Sequence, residues 1–151
     1  MDRILLNLLL KPYWRLTRSQ TLGVQAIVVQ HGTHVLLVRH RYVRGWHLPG
    51  GGVERHETLE RALRRELHEE VGLEITTKPR LHGIFSNFQR SKGDHIAVYV
   101  VEDWQQFKVP LSLEILEQKF FAVDSLPSGL IEGARRRLDE VFKQRPTSDE
   151  W

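Results

Sequence analysis

The chain has 151 residues, of which 40% are hydrophobic and 27% are charged, a composition typical of one globular domain with an ordinary core. It contains no cysteine, which excludes disulfide bonds and thiolate chemistry and agrees with a cytoplasmic location. The formal net charge is only +3, so the basic residues by themselves do not indicate a nucleic-acid-binding protein.

An apolar run near the start of the chain, Ile4 to Leu10, is interrupted by Asn7 and followed closely by Pro12. It is too short to cross a bilayer, which takes about 20 apolar residues, and no small-residue cleavage site follows it. We expect residues 1–20 to form an N-terminal helical extension that packs on the domain or on a second subunit, as in a homodimer. A membrane-surface helix is the other interpretation of four cations in this segment: Arg3, Lys11, Arg15 and Arg18. Nothing else in the sequence supports a membrane partner.

Two segments rich in β-branched residues follow, residues 21–30 and 34–40, with a short turn of His31, Gly32 and Thr33 between them. They predict a β-hairpin.

The next run combines cationic and aromatic side chains. Arginine forks match phosphate oxygens and aromatic faces suit a purine, so we expect substrate binding by four residues: Arg39, Arg41, Tyr42 and Arg44. The alternative is a solvated loop, with the nearby Trp46 packed in the core.

A glycine-rich turn, Gly50 to Gly52, leads into a segment with helical periodicity. Apolar residues recur at spacings of three and four between Leu59 and Val71, which predicts an amphipathic helix. Thr58 is placed near the start of this helix, and Gly72 is placed to cap its end. Other charges are expected on its solvated face: Arg61, Arg64 and His68.

Three carboxylates of this helix predict a metal site. At about 100° per residue, Glu66 and Glu70 fall inside the apolar arc and Glu69 lies at its edge. Ionised carboxylates on a core-facing stripe cost several kcal/mol each and repel one another, so they persist where a cation or an arginine neutralises them. Three clustered oxygen ligands suit Mg²⁺ or Mn²⁺.

The glycine turn and the helix also belong to a longer pattern. Nine residues occur at its required spacings over twenty-three positions: Gly51, Glu57, Arg65, Glu66, Leu67, Glu69, Glu70, Gly72 and Leu73. Through them the chain resembles the Nudix box, and a chance match of this length is very rare. The resemblance implies a Nudix hydrolase domain over residues 21–145, with an α/β fold described as a Nudix-type α/β/α sandwich with a mixed β-sheet. It also implies metal-dependent hydrolysis of a nucleoside diphosphate linked to another group.

The resemblance further assigns roles to single residues. It implies that the Gly50 carbonyl binds the metal beside the three carboxylates, and that Glu57 supports the site without being a principal ligand. Arg65 is placed to hold carboxylates in a fixed geometry, as its spacing from Glu69 also allows. His56 replaces the usual glycine, which requires a left-handed histidine or an altered turn. Two glycines are supporting positions: Gly51 and Gly72.

The metal ions would screen the negative charge of a pyrophosphate bridge, and a water would attack one phosphorus. The proton of that water needs a base, for which Glu66 and Glu114 are both candidates. The resemblance implies an acidic residue in the loop before the last strand, and Glu114 fits this spacing better than Glu117. The alternative for both loop residues is simple solvation.

Residues 73–88 and 94–104 predict further strands joined by a polar turn. Alternation in the second stretch places two sets of side chains on opposite faces: His95, Ala97, Tyr99 and Val101 against Ile96, Val98 and Val100. Four residues are candidates for a substrate pocket, with core packing preferred for the first and last: Phe85, Asn87, His95 and Tyr99. A last strand at residues 119–123 and a helix at residues 131–143 close the domain. Residues 146–151 are expected to be a polar tail that is frayed, apart from Trp151.

Three functions from different classes stay open at this point. The leading one is a pyrophosphohydrolase of a small nucleotide, such as a nucleoside triphosphate, a nucleotide sugar, ADP-ribose or a dinucleoside polyphosphate. The second is an enzyme acting on RNA 5′ ends, but the chain lacks the compact basic and aromatic stripe that such an enzyme would use. The third is a non-catalytic Nudix-like nucleotide-binding domain, against which the intact set of three carboxylates argues.

Overall fold

The computed structural model describes residues 19–108 and 112–151. The predicted N-terminal extension lies outside the described residues, except for its last two. In chain order the elements are β1 (Thr21–Gln30), β2 (His34–His40), β3 (Trp46–His47), β4 (Gly50–Gly52), α1 (Leu59–Val71), β5 (Leu73–Ile75), β6 (Arg80–Ser86), β7 (Asp94–Val101), β8 (Trp104–Gln106), β9 (Ile115–Ala122) and α2 (Glu132–Phe142). Within this part of the chain, no helix is long and apolar enough to cross a membrane.

Strand β1 lies at the centre of a seven-stranded mixed sheet with the order β3-β2-β1-β7-β6, in which β4 also pairs with β1 and β9 with β2. β1 and β7 run parallel, in register from Thr21 opposite Asp94. The other pairs of this sheet are antiparallel. The predicted hairpin is present, but β1 pairs with β2 only beside the turn, where Val29 lies opposite Val35. Most of β1 pairs with β7 and β4, which a local hairpin signal does not reveal.

Two hydrophobic clusters cover the two faces of the sheet, one beneath each helix. Helix α1 buries Leu63 and Leu67 on one face, and α2 buries Ala134 and Leu138 on the other. The predicted alternation along β7 is confirmed, since its side chains divide between the clusters: Ala97, Tyr99 and Val101 beneath α1, and Ile96, Val98 and Val100 beneath α2. Core packing of Phe85 and Tyr99 is confirmed as well. The molecule is therefore the expected α/β/α sandwich.

Residues 148–151 pack on the edge of the sheet, so the expectation of a frayed tail is wrong. Backbone hydrogen bonds of 2.8 Å join Ser86 N to the Asp149 carbonyl and Trp151 N to the Ser86 carbonyl. The tail thereby forms a short parallel bridge on the outer edge of β6. An edge strand presents unpaired backbone groups that can bind an extended segment distant in sequence.

Arg137 of α2 holds this tail from inside the core. Its fully buried guanidinium donates to the Glu150 carbonyl at 2.9 Å and to Glu140 Oε1 at 2.7 Å, and it lies 3.8 Å from the ring centre of Phe85. Glu140 Oε2 is also 2.7 Å from His82 Nε2. Burial alone would raise the pKa of Glu140, but the hydrogen bonds it accepts outweigh burial, and the pKa is lowered. The buried carboxylate is thus ionised and paired.

Candidate active site

The glycine turn lies flat against β1. In the β4–β1 pair, Gly50 lies opposite Gln25 and Gly51 lies opposite Val24. The φ angle of Gly50 is 148°, and a Cβ at this position would overlap the carbonyl oxygen of Val24. Only glycine fits such a conformation and such a close approach. The backbone of the turn therefore lies close to the centre of the sheet.

Helix α1 begins and ends where the sequence predicts. Thr58 Oγ1 accepts a hydrogen bond from Arg61 N at 3.2 Å, and Gly72, with φ 66°, donates its N–H to the last carbonyls of the helix. The apolar stripe of α1 packs on the β1 and β7 side of the core. This packing directs Glu66 and Glu70 toward the glycine turn.

Glu70 is the most buried carboxylate of the helix, with 7% of the residue exposed. Its Oε2 accepts a hydrogen bond of 2.9 Å from Gly50 N. Burial raises the pKa of Glu70 to about 7, even though this hydrogen bond acts in the opposite direction, and the charges of Glu66 and Glu114 add to the rise. Near neutral pH this carboxyl is therefore poised between its neutral and ionised forms.

Glu66 lies directly against the second glycine of the turn. Its side chain is 14% exposed, and a Cβ added to Gly51 would come within 2.5 Å of its carboxyl carbon. Burial raises the pKa of Glu66, and the hydrogen bond from Arg65 opposes that rise. The absence of a side chain at Gly51 thus leaves room for the carboxylate.

Gly51→Ala is expected to lower turnover at least about tenfold with little change in unfolding free energy, because the flexible end of Glu66 can move aside but then leaves its place in the site. Turnover and urea unfolding are measured together. Gly52→Ala is the matched control, since a Cβ at Gly52 meets nothing within 4 Å. Equal turnover in the two variants would show that the position of Glu66 is unimportant.

Arg65 joins the helix to the loop before it. Its Nε and Nη2 each donate to Glu57 at 2.9 Å, its Nη1 donates to Glu66 at 2.7 Å, and its Nη2 also donates to the Gly52 carbonyl at 2.9 Å. The Arg65 hydrogen bonds hold the pKa of Glu57 at about 2. Glu69 is only 3.5 Å from Arg65 and its side chain is 59% exposed. Arg65 therefore fixes Glu57 and Glu66 firmly and Glu69 loosely, a charge-assisted arrangement that supports the carboxylates.

His56 and Arg64 show how the surroundings of the helix are built. His56 adopts a left-handed conformation with φ 64°, one of the two expected outcomes.

Arg64 was expected on the solvated face, and this is wrong: its Nη1 donates to the Ile75 carbonyl at 2.6 Å and its Nη2 to the Thr77 carbonyl at 3.1 Å. It also pairs with Glu60 at 2.8 Å. Arg64 therefore ties α1 to the chain around β5, a contact that helical periodicity does not reveal.

The carboxylates fit a hard divalent cation by chemistry, although the three do not converge on one point among the described residues. Glu66 and Glu70 lie within one charged environment next to the Gly50 backbone, and hard cations prefer such oxygen donors. Across residues 19–108 and 112–151, no three carboxylate or histidine side chains come close enough together to hold a metal ion. Arg65 Nη1 contacts both Glu66, at 2.7 Å, and Glu69, at 3.5 Å, and the Glu69 side chain stays largely in solvent.

Without added metal, Glu70 by itself is expected to lower the unfolding free energy by about 3 kcal/mol as pH rises from about 4.5 to above 7, as the difference between the wild type and Glu70→Gln. The folded-state pKa of Glu70, about 7, is above its ordinary value of 4.5, so its stabilising contribution is complete below pH 4.5 and is lost as pH rises through 7. Added Mg²⁺ should raise the melting temperature more at pH 8 than at pH 5, because protons compete for the same oxygens. Thermal unfolding at both pH values measures this, and an equal or smaller shift at pH 8 would refute a buried carboxylate metal site.

Glu114 lies within electrostatic reach of the carboxylates, and Glu117 points elsewhere. The charge of Glu114 raises the pKa of both Glu66 and Glu70. Its carbonyl accepts a hydrogen bond of 2.8 Å from Arg41 N, which links its loop to the arginine-rich segment. Glu117 lies on β9 and pairs with Arg39 at 3.3 Å. The structure thus favours Glu114 over Glu117 as a neighbour of the site.

The arginine-rich segment lines an open surface cavity of about 390 Å³, here called the arginine cavity. Its walls include all four predicted substrate-binding residues: Arg39, Arg41, Tyr42 and Arg44. Arg41 Nε donates to the Leu113 carbonyl at 3.1 Å, and Tyr42 is exposed. Trp46 is half-buried, packs edge-on against Phe121, and lies 5.4 Å from the guanidinium of Arg39. Trp46 therefore packs against the core, as one expectation had it, while the arginines next to it line a basic cavity, as the other had it.

Two histidines beside this cavity have no sequence pattern that predicts their pairing. His47 is buried, its Nε2 lies 3.0 Å from the Arg44 carbonyl, and its ring is 5.3 Å from that of His40. Burial lowers the pKa of both histidines, and the charge of Glu114 raises that of His40. They lie on separate strands, so no sequence spacing could have paired them.

Residues 19–144 match the family model of the NUDIX domain, so the chain belongs to the Nudix family. A diphosphoinositol polyphosphate phosphohydrolase 2 of Rattus norvegicus is 37% identical over 98 residues, which cover 55% of this chain and 54% of the relative. An RNA pyrophosphohydrolase of Haemophilus influenzae is 30% identical over 132 residues, which cover 85% of this chain and 59% of the relative. The chain spans about half to three fifths of the length of the curated relatives it matches.

Among solved structures, a MutT NUDIX hydrolase from Burkholderia pseudomallei superposes with a TM-score of 0.71 and 26% identity, and the match covers 82% of this chain and 98% of that one. The relatives and this neighbour are named as hydrolases, which agrees with the predicted enzyme class. Their named substrates differ from one another. The family and the fold predicted from the sequence are therefore confirmed.

Proposed function

We propose that this protein is a metal-dependent pyrophosphohydrolase that cleaves a nucleoside diphosphate linked to another group by water attack on phosphorus. The observation that carries the proposal is Glu70, a buried carboxyl with a pKa raised to about 7, held against the backbone of the glycine turn. Such a group is costly in a core and becomes favourable when a cation shares it. Membership of the Nudix family supports the same conclusion.

The residues that would hold Mg²⁺ or Mn²⁺ are Glu66, Glu69, Glu70 and the Gly50 carbonyl. When bound, the ion would screen the charge of the pyrophosphate oxygens and acidify water. Arg65, held by Glu57 and the Gly52 carbonyl, keeps Glu66 in place before and during the reaction. In this proposal Arg65 positions the carboxylates and does not itself bind the metal.

The remaining chemistry needs a base and a site for phosphate. Glu66 and Glu114 are the candidates for taking the proton from water, because both lie in the same cluster of interacting charges. The arginine cavity, formed by Arg39, Arg41 and Arg44 with Tyr42 at its wall, would bind phosphate oxygens of the substrate. The link between Arg41 and the Glu114 loop supports this, since it joins the cavity to the charge cluster.

The decisive experiment is metal-dependent phosphate release over a panel of nucleoside triphosphates, nucleotide sugars, ADP-ribose and dinucleoside polyphosphates. At least one substrate should be hydrolysed with Mg²⁺ and not with a chelator. Glu70→Gln should lower this release roughly a hundredfold or more, whereas Glu102→Gln, a change at an exposed carboxylate outside the site, should leave it intact. Tight metal-independent binding without turnover would instead indicate a nucleotide-binding domain.

An RNA 5′-end pyrophosphohydrolase is the second candidate, because the relative from Haemophilus influenzae bears that name and its match covers 85% of this chain. A 5′-triphosphorylated RNA oligonucleotide belongs in the same panel, together with a diphosphoinositol polyphosphate. Preferred hydrolysis of the RNA would replace the small-nucleotide proposal. A cytoplasmic location and a homodimer remain proposals from the sequence alone, as do the three segments 1–20, 21–145 and 146–151.

A further inference from the structure

The α1 side of the sheet is only partly covered by its helix. The core beneath α1 takes side chains from β1 and β7, such as Val24, Ala97 and Tyr99, and within residues 19–108 and 112–151 it includes no side chain of β6. β6 is the last strand of the sheet and pairs with β7. The side chains that β6 directs to the α1 side therefore lie outside this core.

Two large apolar side chains of β6 are exposed on this side. In the β6–β7 register, Ile84 lies opposite Ala97 and Leu81 lies opposite Tyr99. Directly paired residues point to the same face of a sheet, so Ile84 and Leu81 share the α1 face with their partners. Ile84 is 49% exposed and Leu81 is 47% exposed. Both therefore offer apolar surface for a further contact.

Leu22 extends this apolar surface to the start of β1. Alternation along β1 places Leu22 on the same face as Val24, which belongs to the core beneath α1. Leu22 is also exposed, and it lies opposite His95 of β7, one strand away from β6. These three exposed side chains are here called the β6 patch: Leu22, Leu81 and Ile84. Single exposed apolar residues are ordinary, but several on one face of a sheet indicate a contact surface.

The apolar run at residues 4–10 is the segment of this chain that most needs such a surface. It reads ILLNLLL, in which six of seven side chains are large and aliphatic and only Asn7 is polar. Exposure of these six side chains to water is unfavourable, because the hydrophobic effect scales with the apolar area left in water. The run lies outside the described residues. Its sequence therefore calls for an apolar partner.

The chain enters the sheet beside this patch. Thr21 N donates to the Gly93 carbonyl at 3.1 Å, and a Cβ at Gly93 would come within 2.8 Å of the Ser19 carbonyl oxygen. Ser19 thus lies at the start of β7, close to Leu22. Residues 11–18 can span about 26 Å when extended. β1 and β6 are two strand spacings apart, about 10 Å, so the run can reach the β6 patch.

Charge distinguishes this patch from the other exposed apolar surface. Four exposed apolar side chains lie around the arginine cavity: Tyr42, Val43, Leu113 and Leu116. That cavity carries three arginines, and four cations flank or follow the run: Arg3, Lys11, Arg15 and Arg18. Like charges repel, so the arginine cavity disfavours the segment. The strand residues that share the α1 face with the β6 patch in the β1, β6 and β7 registers include no lysine or arginine.

We infer that the apolar run at residues 4–10 docks on the β6 patch of its own chain and completes the α1 side of the fold. Proximity of the chain entry, the apolar character of both surfaces and the charge of the alternative surface favour this partner. The inference does not depend on the proposed function, because the β6 patch contains none of the residues proposed to bind metal or phosphate or to act as the base.

The test is disulfide trapping in the full chain, which contains no cysteine of its own. Leu5→Cys, Leu8→Cys and Leu9→Cys are each combined with Ile84→Cys, because spacings of three and four place them on one face of the expected helix. At dilute protein concentration, at least one pair should form an intramolecular disulfide about tenfold faster than the same cysteine paired with Leu116→Cys. Leu116 is the matched control, since it is 52% exposed and borders the arginine cavity.

Non-reducing gel electrophoresis separates the outcomes. Equal rates for the Ile84→Cys and Leu116→Cys pairs would overturn the inference, because a segment free in solution meets both positions. Disulfides that form only between two molecules would overturn it in favour of a second copy of the chain. Binding to vesicles of phosphatidylcholine and phosphatidylglycerol, without an intramolecular disulfide in their absence, would overturn it in favour of a membrane surface.

Thermal unfolding tests the same contact without cysteine. Leu8→Asp should lower the melting temperature by about 4 °C, because a docked leucine would leave the β6 patch. Asn7→Asp, at the polar position of the run, should change it by less than about 1 °C. In an Ile84→Asp background Leu8→Asp should have no further effect, whereas in a Leu116→Asp background its effect should persist in full. A melting temperature unchanged by Leu8→Asp, or a loss that persists beside Ile84→Asp, would contradict docking on the β6 patch.

Discussion

Glu70→Gln is expected to lower turnover roughly a hundredfold or more while making the protein more stable at pH 8. The glutamine side-chain carbonyl can still accept the hydrogen bond from Gly50 N, but the buried charge, whose pKa burial has raised to about 7, is gone. The gain in unfolding free energy without metal is on the order of 3 kcal/mol. Turnover with Mg²⁺ and urea unfolding without it measure the two effects.

Two matched variants make this result specific. Glu69→Gln should lower turnover similarly but leave stability nearly unchanged, because its side chain is 59% exposed and its charge costs little. Glu102→Gln, at an exposed position outside the site, should change neither quantity. A Glu70→Gln variant that keeps near wild-type turnover would remove Glu70 from the site.

Arg137→Met is expected to lower the unfolding free energy by about 3–5 kcal/mol, the largest loss predicted here for one side chain. Methionine fills much of the space but cannot pair with Glu140, which would stay buried with its charge poorly compensated, and the Glu150 carbonyl would lose its donor. Urea unfolding of the whole chain measures the loss.

Arg135→Met is the control for Arg137→Met, because Arg135 lies on the same helix, is only half-buried and bonds to the Pro127 carbonyl at 3.3 Å. It should cost about 1 kcal/mol or less. The double variant Arg137→Met, Glu140→Met should lose less than the sum of its two single variants, because no charge is left alone. If Arg137→Met were as mild as Arg135→Met, the buried ion pair would contribute nothing measurable.

Much of the fold follows from local sequence signals. The periodicity from Leu59 to Val71 and the caps at Thr58 and Gly72 define α1, and alternation along β7 divides its side chains between two cores. These signals are local because a helix closes its hydrogen bonds over four residues and a strand alternates every two. The Nudix pattern is also formed by residues close together in the sequence, and it identifies the glycine turn and the three carboxylates.

Local sequence patterns mispredict the features in which a contact joins distant segments. The tail was expected to fray because residues 146–151 are polar, yet Ser86 and Arg137 bind its backbone. Helical periodicity predicts a solvated Arg64, because it takes no account of the Ile75 carbonyl of β5 to which Arg64 donates. Backbone groups at a strand edge or after a short strand have no sequence signature of their own, so their partners cannot be identified from local patterns.

By itself the sequence determined the family, and through the family the packing of helices on both faces of the sheet, together with the carboxylates that face the glycine turn, because the Nudix pattern consists of residues close together in the chain. Only the tertiary structure decided that Gly50 donates to Glu70, that the Glu114 loop reaches the same charges, and that Trp151 and Asn87 line the same cavity. Burial is a property of the assembled core, so the raised pKa of Glu70 and the lowered pKa of Glu140 also arise at that level. The spacing of residues in the sequence identifies the chemical groups of the site, and the packing of those groups in the fold determines their protonation and their neighbours.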